Sequence, residues 1–285
     1  MMYHENKKTG LKYTVDLLSA AGIFILAARY AFSLLSVRLL PEVPFRGIII
    51  SLILTFITMI PPAAACKFYF REVKFSGSST GYDRFKAVIA GAAGCMTVNF
   101  IMNMLPVKSE NPSSAAFDSV GAFLLSLLAL GIAPAVCEEL LFRGCAVGMT
   151  IKFGATESVF VSAFIFGMFH SSPKTAAFAF LSGLILGMVR VITGSTIAAV
   201  AVHLINNITA LCVSAVGAFV SVSTGKIAFY AVGVLSAAVA FVCILRSYRI
   251  IKSVFGSLSS DNIREILKSP GLWLFTASAL TAMLF

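Results

Sequence analysis

The sequence predicts an all-α fold: a polytopic membrane helical bundle of about eight transmembrane helices followed by a short C-terminal hydrophobic helix. Three observations carry that expectation. The 285-residue chain is 59% hydrophobic and only 12% charged, against about 25% charged for a soluble domain. Its mean hydropathy is +0.94. Its apolar residues fall in runs of about 20, the length a helix needs to cross roughly 30 Å of hydrocarbon.

Taken in order, the first run covers 17–40. It carries Arg29 and Arg38 and lacks a small-residue cleavage site, so it reads as a retained helix rather than a signal peptide. Runs at 47–66 and 87–105 follow, each long enough to span. The fourth, 119–147, is the longest and contains CEELLFRG at 137–144. Runs at 156–172, 175–192, 196–217 and 227–245 complete the eight. A ninth, 271–285, has 15 residues, which fits a half-span, a thin crossing or an interfacial helix. No repeat, low-complexity tract or soluble domain interrupts this pattern. The chain therefore divides into an N-terminal three-helix region (1–118), a central core (119–215) and a C-terminal part with a basic loop (216–285), all within one membrane domain.

A net charge of +10 invites a nucleic-acid reading, but its distribution follows the membrane. Of 22 Lys and Arg, fifteen fall on the side of the N-terminus when loops are assigned alternately. Only Arg38, Arg46, Lys108, Lys174 and Lys226 fall on the other, and Arg29 and Arg143 lie within runs. That bias predicts a cytoplasmic N-terminus and no nucleic-acid partner. The basic stretches 67–86 and 246–268 interleave cations with Phe, Tyr and Ile, as in ordinary cytoplasmic loops or in helices lying on anionic lipid. The exposed tip SENPSSAAFD (109–118) is a further polar connection. Six cysteines, all in or at the ends of apolar runs and without CxxC spacing, read as small buried thiols rather than disulfides or a zinc site.

Among twelve acidic residues, only Glu138 and Glu139 lie well inside a run. A central charge costs about 2.5 to 3.5 kcal/mol on insertion scales, so an unpaired Glu138, Glu139 and Arg143 would together cost on the order of 7 to 10 kcal/mol. Glu139 and Arg143, four apart, share a helix face and can neutralise each other. Glu138 is rotated by about 100° and is left over. Beyond His4, both remaining histidines, His170 and His203, also sit in apolar runs, and Asn207 follows His203 by one turn. At 1.5 Å per residue, Glu138, His170, His203 and Asn207 lie at depths of about 18, 24, 12 and 18 Å, one level within the membrane. Alone, a membrane His or Asn is usually a helix–helix hydrogen-bonding residue. Together they predict a buried site.

Glu138, Glu139 and Arg143 give EExxxR, Phe166 to His170 gives FxxxH, and His203 to Asn207 gives HxxxN, in that order on the fourth, fifth and seventh runs. This set, with TGSTIAAVAVHLINN at 193–207, resembles the CPBP family of CAAX proteases and bacteriocin-processing enzymes, also called Abi, which includes the type II CAAX prenyl endopeptidase. The resemblance covers about residues 119 to 215. It implies an intramembrane endopeptidase that hydrolyses a peptide bond with a water activated by Glu138 and His170, while His203 and Asn207 stabilise the oxyanion. Glu139 and Arg143 would be a structural pair orienting the catalytic helix, and Phe166 packing or the border of the substrate groove. The substrate would be a peptide or protein, membrane-anchored or prenylated, met in the lipid bilayer of a bacterial plasma membrane.

Elementary chemistry runs the same way. Ser171 and Ser172 adjoin His170, but chain neighbours do not make a nucleophile–base pair and GxSxG is absent. A carboxylate in a water-poor cavity suits a general base, and preorganised donors there suit an oxyanion. No cofactor is expected. The alternative mechanism is a zinc site of Glu138, His170 and His203 with an open position for water, although HExxH is missing. The alternative functions are a bacteriocin-immunity or scaffold protein that binds without cutting, and a proton-coupled transporter, for which inverted repeats are lacking.

Overall fold

The computed structural model describes residues 2–39, 45–69, 83–106, 117, 119–170 and 172–284. Ten helices make up the bundle among these residues: α1 (Met2–Leu39), α2 (Arg46–Tyr69), α3 (Arg84–Met104), α4 (Val120–Phe153), α5 (Ala155–Met168), α6 (Pro173–Thr193), α7 (Thr196–Phe219), α8 (Val222–Val254), α9 (Ser260–Leu267) and α10 (Pro270–Leu284). Seven of the described helices, α1 to α4 and α6 to α8, are long and apolar enough to cross a membrane. The eighth expected span is the short α5, and the short C-terminal helix is α10. The polytopic helical bundle stands. The tip at 109–118 and the basic stretch from 70 to 82 lie outside the described residues, apart from Phe117.

Boundaries moved where the helices proved longer or shorter than their apolar runs. Helix α1 begins well before residue 17, which places Asp16 inside it. Helix α8 continues through Arg246, Arg249 and Lys252 to Val254, and Ser260–Leu267 form α9, so most of the expected basic loop is helix. Arg190, counted among the cations on the side of the N-terminus, lies in the last turn of α6 and is buried. Of the cysteines, Cys95, Cys137 and Cys145 are buried as expected, whereas Cys212 is exposed on the outer face of α7.

Side-chain caps start most of these helices. Asp83, Ser119, Ser172, Ser195, Ser221 and Ser259 each accept a backbone N–H one to three residues into the following helix, satisfying donors that hydrocarbon would leave unmet. Gly194, at φ 64°, ends α6 in the left-handed conformation that favours glycine and lets α7 start at once.

The most enclosed spans are α6, 44% buried, and α4, 39%, while α8 at 17% lies at the periphery. Outward faces carry large apolar side chains such as Phe24, Ile197, Val234 and Phe241, which suits a lipid solvent. The main core joins Val15 and Ile25 of α1, Met59 of α2, Phe142 of α4, Phe166 of α5 and Phe275 of α10. Helix α10 is docked by polar contacts as well as by apolar ones. Asp16 Oδ1 accepts from Ser269 Oγ at 2.5 Å and from Gly271 N at 3.0 Å, and Phe275 is fully buried over Gly22. Glu157 Oε1 holds α9 in the same manner, through Ser259 N at 3.1 Å and Asn262 Nδ2 at 3.0 Å.

Two features of this frame set up the site. Helix α4 is not uniform: Leu127–Ile132 and Leu140–Ala146 are wide π-helical stretches on either side of an α-helical Ala133–Glu139. Pro134 has no N–H to give the carbonyl of Leu130, and such wide turns accommodate a break of this kind, often near functional residues. Helix α5, at 14 residues, rises only about 21 Å. Its hairpin turn into α6 therefore falls short of a full crossing, a depth at which irregular backbone is tolerated only when buried in protein or lining a cavity.

Candidate active site

Three parts of the bundle bring the expected residues to one place. Glu138 from α4, Phe166 and His170 from the α5–α6 hairpin, and His203 and Asn207 from α7 line a single cavity of about 200 Å³. Each reaches it for a local reason.

Glu138 and Glu139 are chain neighbours, and the helix turns them to different surroundings. Glu139 is 0% exposed and pairs with Arg143, also 0% exposed, through Oε1–Nη1 at 2.9 Å. Arg143 is further fixed by Nη2 donating to the Gly183 carbonyl at 3.2 Å and by the face of Phe166, 4.5 Å from its guanidinium carbon. Gly183 permits this approach: a Cβ there would stand 3.1 Å from Ala163 and 3.2 Å from Arg143 Nη2. Glu138, at 16% exposed, faces the cavity and stands 4.0 Å from His203 Nε2.

His170 is not on a helix as expected. Helix α5 stops at Met168, and His170 occupies the turn, with its backbone N–H donating to Gly167 O at 3.1 Å. Its Nδ1 is 3.0 Å from the carbonyl of Phe166, one of the last-turn acceptors that the ended helix leaves open. A carbonyl only accepts, so Nδ1 carries the proton and Nε2 is left as the lone-pair nitrogen. The i, i+4 spacing of FxxxH is therefore a C-terminal capping contact. Phe166 also packs edge-on against both imidazoles, 5.1 Å from His170 and 6.2 Å from His203 between ring centres.

His203 is held from the other side. Its Nδ1 is 2.9 Å from Glu139 Oε1, the oxygen that also binds Arg143. Glu139 thus does more than neutralise the arginine, which the sequence alone did not show. Asn207 gives Nδ2 to the carbonyl of Leu130 at 3.2 Å, the same carbonyl that Pro134 cannot serve. One N–H of that amide remains for the cavity.

Several contributors went unforeseen. Asn206, Ser182 and Cys95 line the cavity, and Asn206 Oδ1 is buried without a hydrogen-bond partner among the described residues. Asn206 donates to Asn207 Oδ1 at 3.2 Å, a role its place in the NN doublet hinted at. Arg190 Nε donates to the Arg143 carbonyl at 3.3 Å, bracing the π-helical stretch of α4. A lone arginine at a span end carries no such signal.

For the zinc alternative, no three His, Cys, Asp or Glu side chains converge as a metal-ligating group among the described residues. Glu138, His170 and His203 share a cavity rather than a common coordination point, and both imidazole Nδ1 atoms are already engaged. Their Nε2 atoms remain open, but without a common coordination point among the described residues the three side chains do not form a ligand set as placed.

Residues 120–209 match the family described as Type II CAAX prenyl endopeptidase Rce1-like. The match spans about a third of the chain, contains every cavity residue named above except Cys95, and is consistent with the CPBP family. No curated protein and no solved structure matches the chain.

Proposed function

We propose that this chain is a multi-pass intramembrane endopeptidase of the CAAX-protease kind, using a glutamate-activated water and no metal. The observation that carries the proposal is the convergence of Glu138, His170, His203 and Asn207 on one buried cavity, within the segment that matches the prenyl endopeptidase family. The substrate is a peptide or protein, membrane-anchored or prenylated. The membrane is a bacterial plasma membrane with the N-terminus cytoplasmic, as the bias of Lys and Arg supports.

In this reading Glu138 takes one proton from a water held between its carboxylate and His170 Nε2, and the resulting hydroxide adds to the scissile carbonyl carbon. His170 suits this task because its Nδ1–H is spent on Phe166, which leaves Nε2 to accept. Negative charge that develops on the carbonyl oxygen is met by Asn207 Nδ2–H and by His203 Nε2–H. The His203 contribution is made by the doubly protonated imidazole, whose Nδ1–H is held on Glu139 Oε1. Collapse breaks the C–N bond, and Glu138 returns its proton to the leaving amine. Water is consumed, and no covalent acyl-enzyme forms.

The test is cleavage of a quenched peptide library, with and without a prenyl group, by the purified chain in liposomes. Wild type should cleave and Glu138→Gln should not, with chelator changing neither result. Loss of activity on chelation would move Glu138, His170 and His203 to a zinc site. Tight binding of peptides that are never cut would favour an immunity or scaffold role.

A further inference from the structure

A second and larger opening of about 440 Å³ lies between α3, α7 and α8 and the first turns of α6. It shares two wall residues, Phe178 and Asn206, with the catalytic cavity, so the two spaces adjoin through that pair. We infer that this groove seats the extended peptide segment flanking the scissile bond, an assignment that rests on the peptidase reading of the cavity.

The chemistry of the walls points to a peptide rather than an acyl chain. Asn99 and Asn103 of α3, Thr175 of α6 and Thr209 and Ser214 of α7 put amides and hydroxyls along the groove, in a bundle whose outer faces carry many large apolar side chains. An extended backbone at membrane depth has N–H and C=O groups that lipid cannot satisfy. Side-chain amides offer both a donor and an acceptor and meet that need, whereas a hydrocarbon chain has no use for them. The Asn103 amide already donates to Asn99 Oδ1 at 2.6 Å, which aligns the pair along α3. Phe100 and Phe229, with ring centres 5.2 Å apart, give the groove an apolar floor.

Asn206 is the independent sign that a ligand belongs here. It is 5% exposed, lines both spaces, and its Oδ1 has no hydrogen-bond partner among the described residues. A backbone N–H of a peptide crossing from groove to cavity would supply one. From Asn206 to Ser214 is eight residues along α7, about 12 Å. At about 3.3 Å per extended residue, the groove holds about four residues of substrate on one flank.

Photocrosslinking tests this directly. Random decapeptides carrying a benzophenone side chain at successive positions are added to the full chain in phosphatidylethanolamine–phosphatidylglycerol liposomes, in the Glu138→Gln background. Crosslinks should map to the segments bearing Asn103 and Ser214. They should fall at least tenfold in Ser214→Trp, which plugs the groove from an exposed position where folding is not at stake, and likewise in Thr209→Phe. Crosslinks confined elsewhere, indifferent to both plugs, or absent would overturn the assignment. Cleavage of the same library by wild type separates the two readings. Cleavage with crosslinks outside the groove removes the groove alone, whereas groove crosslinks without cleavage remove the peptidase and leave a peptide-binding site.

Discussion

Replacing Glu139 by Gln separates what this carboxylate does for stability from what it does for the site. The change keeps shape and an acceptor oxygen but removes the charge opposite Arg143, which is itself 0% exposed. At 2.9 Å and an effective dielectric of about 20, the lost attraction is about 6 kcal/mol before compensation. Stranding one member of a buried pair costs about 3 to 5 kcal/mol in measured cases. Because the Gln oxygen still accepts from Arg143 Nη1, the lower figure, about 3 kcal/mol, is expected here. Denaturant titration of the purified protein in micelles reads this loss. Glu139→Gln combined with Arg143→Met removes both charges and should recover most of it.

Turnover should behave differently. Glu139 Oε1 also receives the Nδ1 proton of His203, and a neutral Gln holds the ring less firmly than the carboxylate does. The double variant should therefore be nearly as stable as wild type yet still at least tenfold slower. A Glu139→Gln protein within about 0.5 kcal/mol of wild type would refute the buried-pair argument, since surface pairs fall in that range. A double variant with full turnover would show that His203 needs no help from Glu139.

Three further outcomes follow from the same geometry. Glu138→Gln should lower turnover by about a thousandfold or more while stability in the same titration stays within about 1 kcal/mol, because its nearest charged contact is 4.0 Å away and it is partly exposed. Asn207→Leu should cost about 1 to 3 kcal/mol by leaving the Leu130 carbonyl unmet. Asp16→Ala should free α10 from α1, read as faster proteolytic nicking between α8 and α10 with the remaining bundle still folded.

The span count and the residues meeting at the cavity were legible because hydropathy and charge in lipid are strong signals. Eight runs became seven long helices and the short α5, and Glu138, His170, His203 and Asn207 do share one cavity. What stayed hidden depended on backbone detail. The end of α5 at Met168 is marked only by Gly167 and by the Pro173 that opens the next helix, signals weaker than the apolar run around them, so the sequence places His170 on a helix rather than in a turn. The outward reach of α8 past residue 245 was hidden by its charges, which a helix leaving the bilayer carries easily. The His203–Glu139 contact joins residues 64 apart, a relation that no spacing rule encodes.

The adjacent glutamates of CEELLFRG are explained by division of surroundings rather than by shared partners. The approximately 100° turn between neighbours sends Glu139 into a dry pocket, where it binds Arg143 and His203 with one oxygen, and leaves Glu138 on the cavity wall. Each placement depends on an irregularity in α4. The π-helical stretch after Glu139 carries Arg143, whose carbonyl Arg190 braces, and the stretch before Pro134 exposes the Leu130 carbonyl that Asn207 takes up. Two contacts made by α7, His203 to Glu139 and Asn207 to Leu130, therefore grip α4 above and below Glu138. A helix held at both sides of its reactive residue cannot rotate that residue out of the cavity without breaking one of them. That is why HxxxN on one helix and EExxxR on another form a single unit: two side chains one turn apart on α7 hold α4 at Glu139 and at Leu130, on either side of Glu138.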